Sequence, residues 1–326
     1  MRHCITMLAA GAALVGIPLS AHALDLTPDA SRFLSDPNYL PMMGQVYGYT
    51  GYDHTWTNGD TFNSLGADVS SFHVNADTIS QFLSYGVTDD LDINAAIRYA
   101  PGTQREIDRA NGARTFLDSS GFSDPSFGAD WRALDQSTFP VDVDIFGSYT
   151  PDLGNSDAAS ATNDGTVARG GQSGAVGAAL GYGTRDFSLR GAFNANIYGN
   201  SQTLDLGTGD VSEAQGYTDY VLSLATQTRL DSLFSVNAGV DRTFATNHGG
   251  FNTITGASHL VQPGDMTALR LALNYTLAPD HAVLSATYAH EFFDNSQTLV
   301  DNPADDTSVH DKSGNIVGVQ LYYALP

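Results

Sequence analysis

Leu91-Asp92-Ile93-Asn94-Ala95-Ala96-Ile97-Arg98-Tyr99 decides the fold. Leu91, Ile93, Ala95, Ile97 and Tyr99 form one apolar set, and Asp92, Asn94 and Arg98 fall between them. Successive side chains of a strand point to opposite faces, so this stretch has one apolar and one charged face. The pattern recurs along the chain. Val141, Val143, Ile145, Gly147 and Tyr149 alternate with Asp142, Asp144 and Ser148. Phe187 to Ile197 alternates with Ser188, Arg190, Asn194 and Asn196, and Leu269 to Leu277 with Arg270, Asn274 and Thr276. The chain's end sets Val317, Val319, Leu321, Tyr323 and Leu325 against Gln320.

A soluble β-sandwich also alternates. Two features argue against one. The connections alternate in length: short turns near 88–90, 135–139, 183–186, 229–232 and 278–281, and long polar segments near 56–68, 101–123, 151–172, 199–216, 245–265 and 294–313. Short turns at one end and long loops at the other are the asymmetry of a transmembrane barrel. The polar faces also carry too many charges for a dry core, because an unpaired buried charge is costly. Facing a hydrated lumen they stay solvated, and the apolar faces meet lipid.

The spans 43–55, 69–85, 91–100, 124–134, 141–150, 173–183, 187–198, 217–229, 233–244, 266–277, 282–293 and 315–325 predict an all-β, antiparallel up-and-down barrel of about twelve strands, an even number as bacterial barrels have. Closure leaves no unpaired sheet edge in lipid. Tyr85, Tyr99, Tyr149, Phe244, Tyr288 and Tyr323 fall near predicted strand ends, where an aromatic belt meets headgroups.

Arg2-His3, the apolar run Met7 to Leu19 and Ala21-His22-Ala23 read as a secretory leader over residues 1–23, cleaved after Ala23. Residues 24–43 form an N-terminal periplasmic segment with one short helix over Asp29 to Leu34, begun at Thr27-Pro28 and stopped by Pro37. The helix either folds under the barrel mouth or hangs free. Residues 44–326 make the barrel.

Composition excludes several functions. Cys4, in the leader, is the one cysteine, so disulfides and thiolate zinc sites are ruled out. The formal charge is −22 with a single lysine, Lys312, which argues against a nucleic-acid partner. No motif for a zinc protease or a serine hydrolase elbow occurs. His290 and Glu291 are strand neighbours that face opposite ways, and Ser258-His259 sit together in a loop. Asp301, Asp305, Asp306 and Asp311 lack the spacing of a calcium loop and read as a solvated acidic loop. No cofactor, metal or catalytic residue is expected. The candidates for lining the lumen are Asp92, Asn94, Arg98, Asp130, Arg132, Asp142, Asp144, Arg190, Asn194, Arg229, Asp241, Arg270 and Glu291. They line either a narrow polar pore or the bonded filling of a plugged barrel, since twelve strands lie between filled eight-stranded and open sixteen-stranded barrels.

Three segments carry a family resemblance. Phe82-Leu83-Ser84-Tyr85-Gly86-Val87-Thr88-Asp89-Asp90-Leu91-Asp92-Ile93 resembles the strand, YG-(V/I/L)-T-D, strand hairpin of an outer-membrane β-barrel porin family also labelled with the meta-cleavage pathway of phenol degradation. Gly121-Phe122-Ser123-Asp124-Pro125-Ser126-Phe127-Gly128-Ala129-Asp130-Trp131-Arg132 is similar to its D-P-x-x-G-x-x-(Y/W)-R strand, and Phe33 to Pro41 to an N-terminal segment of some members. The chain departs from the usual barrel ending, closing on Leu325-Pro326 without a terminal aromatic. The resemblance implies a barrel of the Gram-negative outer membrane for uptake of small, often hydrophobic or aromatic, solutes. The expected partners are the bilayer with its lipopolysaccharide, the barrel assembly machinery and a small solute. The rival expectations are a structural or adhesive barrel with a plugged lumen and, third, a membrane-embedded hydrolase.

Overall fold

A computed structural model describes residues 34–205, 208–253 and 256–326. The leader, its cleavage after Ala23 and all but the last residue of the expected helix lie outside the described residues. Twelve long strands follow in order: β1 (Val46–Asn63), β2 (Asp68–Thr88), β3 (Leu91–Arg109), β4 (Ser126–Leu134), β5 (Asp142–Thr150), β6 (Ser173–Gly183), β7 (Phe187–Tyr198), β8 (Tyr217–Arg229), β9 (Phe234–Phe244), β10 (Met266–Ala278), β11 (Ala282–Phe293) and β12 (Thr307–Leu325).

Each strand pairs antiparallel with the next. β1 and β12 close the ring, with Val46 opposite Leu325 and Asn63 opposite Thr307. The alternating residues sort as the period of two requires. Ile93, Ile97, Trp131, Ile145, Leu180, Phe193, Leu222, Leu271, Leu273, Val319 and Leu321 are exposed on the outer face. Ser84, Asp92, Arg132, Asp142, Asp144, Ser188, Gln227, Asn274 and Ser285 are buried on the inner face. This polar-in, apolar-out inversion is the signature of a barrel whose outer solvent is hydrocarbon. Tyr85 and Tyr323 lie toward the short-turn end; Tyr99, Tyr149, Phe244 and Tyr288 lie toward the long-loop end.

The long connections differ from expectation. Segments 56–68, 101–123 and 294–313 are largely strand, not irregular loop. β1, β2 and β3 run on past the apolar band, Arg114–Phe122 folds back on β3, and β12 begins at Thr307. The hairpin turns use Asn63, whose carboxamide accepts the N–H groups of Leu65 and Ala67, and Asn111-Gly112, where Gly112 has φ 80°. Beyond the membrane both faces meet water, so pairing continues without the apolar alternation that reveals a strand in sequence. Ser201–Asp205, Val211–Ala214, His248–Asn252, Ser258–Gln262 and Ser296–Val300 pair in series and join β12. In segment 151–172, Asp157–Ala158 pairs with 204–205 and Gly165–Thr166 with 119–120, which bridges the two sides of this upper rim.

Candidate functional site

All thirteen candidates share the inner face, but they do different things. Seven gather on the β3–β7 wall near the short turns. Arg132 donates to Asp144 (2.9 Å) and to the Asn38 carbonyl (2.7 Å), and Arg190 also pairs with Asp144. Asp142 is fully buried and accepts the Gln136 N–H (2.7 Å), while the Gln136 side chain clamps the Gly183 N–H and C=O. Asn94 donates to Asp130 (2.8 Å) and Asp92 (3.3 Å). Buried carboxylates and guanidinium groups persist when paired and hydrogen-bonded in this way.

The network grips a piece of chain. Residues 34–45 enter the short-turn mouth and touch most of the wall. Leu34 packs against Val283 and Ala324, and its carbonyl accepts the Tyr47 hydroxyl (2.9 Å). Ser35 meets Gln227 (2.7 Å) and Asn237 (2.8 Å). Asn38, with no exposure, donates to the Leu189 carbonyl (3.1 Å). Tyr39 packs against Tyr47 with ring centres 4.7 Å apart and tilted by 43°, and burial pushes its phenol up to about 12. Met43 donates to Asp89 (3.0 Å), and Gly44 and Gln45 exchange backbone bonds with Gly86 (2.8 and 3.0 Å).

The three resembling motifs thereby meet. Gly86 is required because a Cβ there would lie 2.0 Å from the Met42 carbonyl. Asp89 of the same motif holds Met43. Arg132 ends the D-P-x-x-G-x-x-(Y/W)-R strand, and Asp36-Pro37-Asn38 forms the turn it grips, with Asp36 accepting the Asn38 N–H (2.7 Å). Asp124 anchors segment 151–172 by accepting the Leu153 and Gly154 N–H groups (2.9 and 2.7 Å).

The remaining candidates sit higher or apart. Arg98 is exposed on the inner face, and Asn194 donates to Asn196 (2.8 Å). Asp241 pairs with Arg270 at 2.8 Å, and the Arg270 side chain is 63% exposed. Glu291 lies beside Gly314, and Arg229 ends β8, where its backbone bonds to Asp186. Sequence reasoning missed the facing wall. Tyr47, Tyr49, Phe82 and Tyr322 form an inner aromatic bank with ring separations of 5.5–6.5 Å. Alternation in β1, β2 and β12 identified their shared face only once the register was known.

His290 and Ser285 lie on opposite faces of β11, so they form no dyad. In the acidic segment, Asp301 accepts both the N–H and hydroxyl of Ser258, Asp306 the Val300 N–H (2.8 Å), and Asp305 the Asn302 amide (2.8 Å). Each of these three carboxylates serves its own donor.

No protein-family profile matches the chain, and no curated protein matches it in sequence. Solved structures do. An outer-membrane channel from Pseudomonas putida F1 is 17% identical, with a TM-score of 0.59 over 90% of this chain and 100% of that one. The transport unit of the autotransporter AIDA-I from Escherichia coli is 11% identical, with a TM-score of 0.54 over 89% of this chain and 93% of that one. At these identities the shared property is the fold: the chain is built as outer-membrane barrels are.

Proposed function

We propose that this chain is an outer-membrane channel of a Gram-negative bacterium for passive passage of small solutes. The observation that carries the reading is Arg270: it points inward from β10 yet stays 63% exposed, so the upper lumen holds solvent. Arg98 repeats this across the lumen. A polar path with a charged wall on one side and Tyr49, Phe82 and Tyr322 on another suits small solutes with apolar or aromatic parts. The resemblance of the 82–93 and 121–132 segments supports the same class. The apolar band would meet lipid and lipopolysaccharide, with insertion by the barrel assembly machinery. Catalysis has no support in the separated serine and histidine.

A second reading is favoured by one observation: residues 34–45 cross the short-turn mouth with Asn38 fully buried. On that reading the barrel is permanently plugged and acts through its acidic rim. Planar-bilayer recording on the full chain and on a chain lacking residues 34–43 separates the two. Discrete conductance steps that grow on deletion support a channel. Silence of both forms at all voltages removes it.

A further inference from the structure

Above residues 34–45, a row of inner-face residues crosses five adjacent strands at one level. Register sets Phe72 opposite Gly59 and places Arg105 on the same face beside Phe72. The β1–β12 ladder is irregular between Asn58 and Asp60, and there Lys312 comes next along the ring against Gly59, with Phe293 under its ammonium. The Arg105 guanidinium lies 4.9 Å from the Phe72 ring centre, and the Lys312 ammonium 3.9 Å from that of Phe293. Gly59 makes the gap between the cations, since a Cβ there would be 2.7 Å from the Phe72 ring and 3.4 Å from Lys312 Cβ. The order is therefore cation, phenyl, gap, cation, phenyl.

In a chain of charge −22, two neighbouring cations would be expected to hold carboxylates. Among the described residues neither has one within 4 Å. The sequence neighbours of Arg105 are committed elsewhere: Glu106 pairs with Arg114 at 2.9 Å, and Asp108 with the same arginine at 3.0 Å. Glu291 on β11 lies against Gly314, outside ion-pair contact but close enough to attract the Lys312 ammonium. Ring faces hold the two cations in place while leaving their N–H groups unspent.

We propose that this row binds small carboxylates that carry an aryl or other apolar body, with the carboxylate bridging Arg105 and Lys312 over Gly59 and the body against Phe72 and Phe293. Charge-assisted hydrogen bonds supply the anion's share and ring contact the rest. The site rests on the channel reading in so far as it would load solute at the outer vestibule.

The test uses the purified full chain with benzoate, acetate and benzyl alcohol as probes. Equilibrium calorimetry reads binding, and bilayer current in potassium chloride is recorded on the same protein. Benzoate is expected to bind at least about tenfold more tightly than either partial mimic. Arg105→Gln and Lys312→Gln each weaken it about tenfold or more. Lys312→Arg retains binding, and Glu291→Gln tightens it. Heat-modifiable migration of each variant on gels confirms folding. Equal binding of acetate removes the aryl component. Benzoate affinity unchanged in both cation variants overturns the site, even where the protein conducts. Benzoate binding by a chain that stays silent both with and without residues 34–43 keeps the site and removes the channel.

Discussion

Gly181→Ala is expected to loosen the seal at the short-turn mouth. A Cβ on Gly181 would lie 2.3 Å from Asn38 Oδ1, 2.9 Å from its Cγ and 3.3 Å from Asp142 Cβ. Carbon and oxygen need roughly 1 Å more than that, given the usual contact distance. The wall strand is held by ladder bonds on both sides, so the strain falls on Asn38. Keeping the segment seated costs the overpacking energy, about 1–3 kcal/mol. Letting it go costs the Leu189 bond, about 1 kcal/mol, plus the Arg132 bond, about 1.5–3 kcal/mol. The smaller cost governs, so the seated state loses about 1–3 kcal/mol, or roughly 5–150-fold in its ratio to the displaced state. Ser35→Cys reports it, because the chain's only natural cysteine is Cys4 and replacing that leaves one thiol. Thiol labelling of residue 35 and open-channel probability should both rise in Gly181→Ala. In an Asn38→Gly background only the 3.3 Å approach to Asp142 Cβ remains, and the same alanine should add less than about twofold, against roughly 5–150-fold with Asn38 present. An equal effect of the alanine in both backgrounds would refute the steric argument.

Arg270→Gln leaves the exposed inner wall one charge more negative and should move the reversal potential in a salt gradient toward cation selectivity. The arginine is exposed but the Asp241 side chain it pairs with is only 13% exposed, so leaving that carboxylate unpaired should cost about 1–3 kcal/mol in denaturant unfolding. Leu273→Arg, at an outer-face position near the middle of β10, should cost about 2–4 kcal/mol of folding free energy in bilayers if that face meets lipid, and far less if it meets water. Arg132→Ala strips a partner from Asp144 and from the segment carbonyl at once; a loss of about 3–5 kcal/mol in denaturant unfolding is expected. The two hydrogen bonds from Ser258 hold the Asp301 carboxyl below the usual carboxylate range. A depressed folded-state value means the contact stabilises above the ordinary aspartate range and is lost as pH falls through the held value. Amide protection at Ser258, corrected for the intrinsic exchange rate at each pH, should therefore fall in acid, and Asp301→Asn should abolish that pH dependence.

Much of the architecture was legible from alternation. The strands around Leu91–Tyr99, Phe187–Tyr198 and Met266–Ala278 fall where the period of two put them, because lipid selects one face and water the other. The same signal failed at Thr57–Asn63 and Thr103–Arg109, where strand continues with water on both faces. Turn residues in those hairpins, Asn63, Gly66 and Asn111-Gly112, were readable but had no apolar pattern beside them to give them meaning.

The inner-face residues were legible as a set and not as a site. Asp92, Arg132, Asp142 and Arg190 had to face inward once the outward set was known, because side-chain direction is local to each strand. Which of them touch was not fixed by direction. Whether Arg132 lines a path or grips Asn38, 94 residues earlier in sequence, depends on closure of the ring and on where the segment enters it. The sequence by itself therefore determined the polarity of each wall, a consequence of backbone geometry and solvent. Only the tertiary structure decided that one sector holds residues 34–45 and another sets Arg105 and Lys312 on either side of Gly59, because those neighbours are set by how the strands pair around a closed ring.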